Sequence, residues 1–169
     1  MAELEAEIAR LIREYQAKTG KLLTIGTVES ATGGRIADRI TNVPGSSDYF
    51  KGSVVAYSNE VKIALLGVKK ATLKKYGAVS EQTALEMARG GRKLLDVDIC
   101  VSNTGIAGPS GANSEKPVGL FYVGLAAEDE SFSQKHAFPG NREENKRDAA
   151  EAALNMLKQW LLRCLSAKE

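Results

Sequence analysis

Short apolar runs alternate along this chain with segments whose apolar residues recur three and four apart. KLLTIGTVE (21–29), GSVVAYS (52–58) and VDICVS (97–102) hold few surface-type residues, as strands do when both faces of their sheet are covered. The segments between them carry helical spacing and helical punctuation. A first helix is expected over 3–18, with Ile8, Leu11, Ile12 and Tyr15 on one face and Gly20 as its stop. A second presents Ile36, Ala37, Ile40 and Val43 and ends at Pro44-Gly45. Asn59 reads as the N-cap of a third that stops at Gly67, and a short helical turn follows at 72–76. Ser80 caps a helix over 81–95, and a long last helix begins near Arg142. LFYVGLAAE and SFSQKHAF flank the polar turn EDES, an antiparallel hairpin pattern. The expected fold is α/β: a single domain over residues 1–169, built as a three-layer α/β/α sandwich around a mixed, mostly parallel sheet.

Composition excludes several classes. A net charge of +2 gives no basic field for nucleic acid, and Lys69-Lys70 with Lys74-Lys75 read as a solvated face. No apolar run approaches the roughly 18 residues of a membrane span. The N-terminal segment reads as an amphipathic core helix, not a signal peptide, so a cytoplasmic location is expected. Cys100 and Cys164 are then free thiols. One histidine and two distant cysteines cannot build a zinc site, and neither G-x-x-x-x-G-K-[ST] nor G-x-G-x-x-G occurs, so neither metal nor cofactor is expected.

Chemistry concentrates in TVESATGGRIADRI (27–40), where Ser30 leaves a strand and runs through Thr32-Gly33-Gly34 into a helix. The segment is either a turn that needs loose backbone or a nucleophile at a helix N-terminus. In the second case the N–H groups of Gly33 and Gly34 are candidates to hold an oxyanion. A serine hydroxyl needs a base. The single histidine, His136, lies mid-strand among charged residues and reads as structural, which leaves lysine, tyrosine or a carboxylate. In VVAYSNEVKIALLG, Tyr57 closes the strand and Lys62 falls on the third helical position, where the helix dipole disfavours a cation. Lys62 is either an exposed lysine that happens to lie there or, if buried, a lysine with a lowered pKa. Glu29 is either an acid or metal ligand or a structural residue.

Two segments are suited to anions. The loop NTGIAGPSGANSEKPVG offers Thr104, Gly105, Gly108, Ser110, Gly111, Asn113 and Ser114, either as an anion nest or as a surface loop without a ligand. The turn PGSS adds Ser46 and Ser47, and Arg142 at the head of the last helix can clamp a phosphate in bidentate fashion.

Together, ESATGGRIADRITNVPGSSDYFKGSVVAYSNEVKIALLGV, YGAVSEQTALEMARG and NTGIAGPSGANSEKPVGLFYVGLA resemble the CinA C-terminal domain family, which includes stand-alone nicotinamide mononucleotide deamidases. The resemblance runs from about residue 5 to residue 163 and takes in nothing of CinA's molybdopterin-binding-like N-terminal domain. It implies a metal-free amidohydrolase converting nicotinamide mononucleotide and water to nicotinate mononucleotide and ammonia. Ser30 would be the nucleophile, Tyr57 and Lys62 its activating partners, and Thr104 to Pro109 part of the pocket wall. Two positions depart from the family pattern: Ala31 stands where cysteine is common, and Gly140-Asn141-Arg142 where G-D-R is usual. The expected partners are this small molecule and further copies of the chain in a homo-oligomer, with neither nucleic acid nor membrane. The alternatives are a non-catalytic nucleotide- or phosphometabolite-binding paralogue and an acyl-transfer hydrolase acting on another amide or ester.

Overall fold

The computed structural model describes residues 3–169. Its elements run α1 Leu4–Thr19, β1 Ile25–Glu29, α2 Arg35–Thr41, β2 Phe50–Val55, α3 Asn59–Leu66, α4 Lys70–Tyr76, α5 Glu81–Leu95, β3 Ile99–Gly105, β4 Leu120–Ala126, β5 Ser131–Ala137 and α6 Arg142–Ser166, with a 3₁₀ turn over Ser46–Asp48. The five strands lie in the order β2-β1-β3-β4-β5. β1 pairs in parallel with β2 and with β3. β4 pairs antiparallel with β3 and β5, which supplies the hairpin.

Helices cover both faces, as the apolar strands require. On one side α1, α2 and α6 bury Ile8, Leu11, Ile12, Ile36, Leu154 and Leu157 against Ile25, Ile99, Val101 and Val123 of the sheet. On the other, Met87 of α5 and Leu66 of α3 close over Val28 and Cys100. Gly91 in α5 permits this approach, because a Cβ there would lie 2.4 Å from Val28 and 2.7 Å from the Cys100 sulfur. Both cysteines are free thiols, and no described helix is long and apolar enough to cross a membrane.

Several boundaries differ from the sequence reading. β1 begins at Ile25, four residues into its apolar run, and β2 ends at Val55, so Tyr57 sits in the loop beyond the strand instead of closing it. The cap of α3 is Ser58, whose extended backbone lets its hydroxyl accept the Val61 N–H at 3.2 Å. Asn59 is thereby the first helical residue and Lys62 the fourth. Ser58 and Asn59 are both good caps, and the shorter hydroxyl side chain takes the position.

Register fixes what lies near what. Glu29 pairs with Val55 on one side and Asn103 on the other. The carboxyl ends of β1, β2 and β3 therefore open onto one edge, the usual location of ligands in such sheets.

Candidate active site

Ser30 is the first residue after β1, between the exits of β2 and β3. Its N–H donates to the Asn103 carbonyl at 3.3 Å, and its own carbonyl accepts the Gly33 N–H at 3.0 Å. The turn then passes Gly33 at φ 63° and Gly34 at φ 101°, left-handed conformations that glycine adopts without steric cost. Gly34 leaves α2 without a side-chain cap of the usual kind.

Glu29 supplies the missing cap. Its fully buried carboxylate accepts the Ile36 N–H at 2.9 Å, the Ala37 N–H at 3.0 Å and the Thr32 hydroxyl at 2.6 Å. The hydroxyls of Thr27 and Ser53 approach from the sheet at 3.3 and 3.4 Å. This carboxylate is therefore structural, held by a helix N-terminus and hydroxyls. Glu29→Ala should leave the buried Ile36 N–H and the part-buried Ala37 N–H without acceptors and cost about 3 kcal/mol or more, read as a lower midpoint in urea unfolding. Glu29→Gln should cost less, because one acceptor oxygen survives.

Lys62 comes up from α3 beneath the turn. It is 1% exposed, and its Nζ lies 3.0 Å from Ser30 Oγ and 3.0 Å from the Tyr57 carbonyl oxygen. Burial removes water from the ammonium and pushes the Lys62 pKa down from 10.5 to about 8. Roughly a tenth of it is then neutral at pH 7.

The cavity above this pair holds about 320 Å³. Ser30, Ala31, Tyr57, Asn59 and Lys62 form one wall, and Thr104 to Gly108 with Ser110 and Gly111 form the other; Ala78, Val79 and Arg142 complete the lining. Thr104 is buried and donates its hydroxyl to the Ala78 carbonyl at 2.7 Å, tying β3 to the segment before α5. Glycine is required at Gly105, where a Cβ would lie 2.2 Å from the Phe121 ring, and at Gly108, where it would lie 2.4 Å from Val118.

Arg142 leans across the mouth, donating to the Gly108 carbonyl at 2.8 Å and to the Tyr57 hydroxyl at 3.1 Å. Tyr57 thus meets Lys62 through its backbone carbonyl, while its side chain, 60% exposed, meets Arg142. The fully buried Asn145 secures the same loop, donating to the Ala107 and Gly140 carbonyls at 3.0 Å each and accepting the Gly140 N–H at 3.0 Å.

Thr32, Gly33, Gly34 and Ser46, expected at the site, lie outside the cavity lining, as do Ser47, Pro109, Asn113 and Ser114. Thr32 turns inward, its hydroxyl given to Glu29 and its N–H to Asn103. Gly33 has its N–H engaged by Ser30, so it is not a donor to an oxyanion in this state. Gly34 serves the α2 terminus. Ser46 is buried in the 3₁₀ turn, beside Gly45 and Asp48, which are held by Arg13 of α1. Conversely, Ala78 and Val79 line the cavity without having been singled out in the sequence, and Asn59, read there only as a helix cap, lines it too. Two unusual positions find an account: Asn141 caps α6 in a full capping box with Glu144, work that aspartate does equally well, and Ala31 is buried at the cavity wall. His136 of β5 stacks on Phe138, just beyond the strand, and is absent from the lining.

Fold and cavity define a three-layer α/β/α domain with a serine and a desolvated lysine paired where its parallel strands end. The family model of the CinA C-terminal domain matches residues 3–161, and the chain belongs to that family. A CinA-like protein of Kosmotoga olearia is 48% identical over 94% of this chain and 37% of its own length. One of Thermotoga neapolitana is 44% identical over 94% of the chain and 37% of its own length. The chain thus spans a little over a third of these curated relatives. The crystal structure of the competence/damage inducible protein CihA from Agrobacterium tumefaciens superposes with a TM-score of 0.84 at 36% identity, covering 93% of this chain and 94% of that one. A competence or damage-inducible protein from Enterobacter asburiae gives 0.87 at 28% identity, covering 94% and 96%.

Proposed function

We propose that the chain is a nicotinamide-nucleotide amidohydrolase, releasing ammonia from nicotinamide mononucleotide and leaving nicotinate mononucleotide. The observation that carries this reading is the 3.0 Å approach of Lys62 Nζ to Ser30 Oγ inside a cavity at the strand ends. Neutral Lys62 takes the proton as Ser30 Oγ attacks the carboxamide carbon. The tetrahedral oxyanion is assigned to the Ala31 N–H, because Ala31 lines the cavity and the Gly33 N–H is already engaged. Lys62 then passes its proton to the leaving nitrogen, and ammonia departs. It next deprotonates the water that cleaves the ester, freeing the acid product and Ser30.

Arg142 supports recognition of the phosphate. Its guanidinium has five N–H donors and spends two on Gly108 and Tyr57, so three remain for an anion approaching over Ser110 and Gly111. Binding energy from that remote group serves to orient the carboxamide, so its loss lowers turnover as well as affinity.

The test is ammonia release from nicotinamide mononucleotide and from its riboside. Strong preference for the nucleotide is expected, narrowing by about tenfold or more in Arg142→Ala. Equal efficiency on both would point to a general amide hydrolase, and no ammonia from either would point to a binding protein.

A further inference from the structure

Lys62 and Arg142 are the charged side chains among the residues that line the cavity. Arginine does not take up protons, so Lys62, 3.0 Å from Ser30 Oγ, is the proton station for the reacting atoms. The Tyr57 hydroxyl is turned away toward Arg142 at 3.1 Å. On the amidohydrolase reading above, on which this inference rests, that single station serves both halves of the reaction. By microscopic reversibility, the second nucleophile enters where ammonia left and gives its proton to the same amine. A position shaped for departing ammonia is a position for any small uncharged amine.

We propose that the chain also transfers its acyl group to small uncharged amine nucleophiles of the hydroxylamine class, forming a hydroxamate in place of the acid. The amine lone pair forms the new C–N bond while Lys62 takes a proton from that nitrogen. Collapse of the tetrahedral adduct breaks the bond from carbon to Ser30 Oγ, and Lys62 returns the proton to Oγ. Acyl-serine and hydroxylamine become hydroxamate and free serine, with no change of oxidation state. Charge selects the acceptor: an alkylammonium entering this cavity meets Lys62 and Arg142 and no lining carboxylate to pair with. Methylamine, cationic at neutral pH, is therefore excluded.

The experiment incubates the protein with nicotinamide mononucleotide at pH 7.5, alone and with rising hydroxylamine or methylamine, and measures ammonia, acid and hydroxamate. Expected is hydroxamate above the enzyme-free control, with the acid product falling by more than half at the highest hydroxylamine concentration, and no methylamide. Unchanged acid formation without hydroxamate overturns the proposal and leaves the hydrolase standing. Neither ammonia nor hydroxamate in any arm overturns both. Hydroxamate and methylamide formed equally well would overturn selection by charge.

Discussion

Ser30→Ala is expected to abolish ammonia release while leaving the fold intact. The loss should be about three orders of magnitude or more in kcat, since an attacking atom is removed from the reaction. The hydroxyl contributes little to stability: it sits at a cavity wall and its identified partner is Lys62. Circular dichroism and thermal midpoint should therefore match the wild type within about 1 kcal/mol. Activity within tenfold of wild type would remove Ser30 from the nucleophile's role.

Lys62→Met is expected to be as inactive as Ser30→Ala and at the same time more stable than the wild type. Moving Lys62 from 10.5 to about 8 corresponds to about 3 kcal/mol of burial penalty at neutral pH. Methionine fills a similar volume without it; the Ser30 hydroxyl and Tyr57 carbonyl lose a partner but lie at the cavity, within reach of water. A net gain of about 1–2 kcal/mol follows. The sign with pH is fixed: a lysine whose folded pKa is depressed weighs against folding below about 8, and the penalty disappears as pH rises toward 10.5. Wild-type stability should rise relative to the variant across that window in urea titrations at each pH. Activity moves in the same direction, with kcat/KM climbing as Lys62 loses its proton near pH 8. Lys62→Arg should be inactive too, since arginine stays charged at every pH of interest. An active arginine variant would reduce Lys62 to an electrostatic anchor.

Much of this architecture was legible because each strand and helix carried its own local signal. The apolar runs required a covered sheet, and the cap at Ser80 marked a helix start without tertiary information. Ser30 stood out because a polar residue followed a buried strand and preceded two glycines, and Lys62 because a cation sat where a helix disfavours one. What remained hidden depended on register and side-chain direction. Thr32 and Ser46 are small polar residues in loops near strand ends, and nothing local says that one turns under the sheet toward Glu29 and Asn103 or that the other is buried in a 3₁₀ turn. The five donors around Glu29 come from β1, the turn beyond it, α2 and β2, so the cap it forms exists only once those elements pack. Ala78 and Val79 join the cavity through the bond from Thr104 to the Ala78 carbonyl, a contact spanning 26 residues of sequence. Tyr57 reads from the sequence as closing β2, whereas the strand ends two residues before it, and its hydroxyl meets Arg142.

Covalent labelling by a small phosphonyl fluoride tests the pairing of Ser30 with a titrating Lys62 without reference to substrate. The labelled residue is located by peptide mass spectrometry, and the rate is followed from pH 6 to pH 10. The predicted result is modification of Ser30, with a rate that climbs through about 8 to a plateau and collapses in Lys62→Met. Modification of other residues with Ser30 untouched, or a Ser30 rate indifferent to pH and to the loss of Lys62, would contradict it.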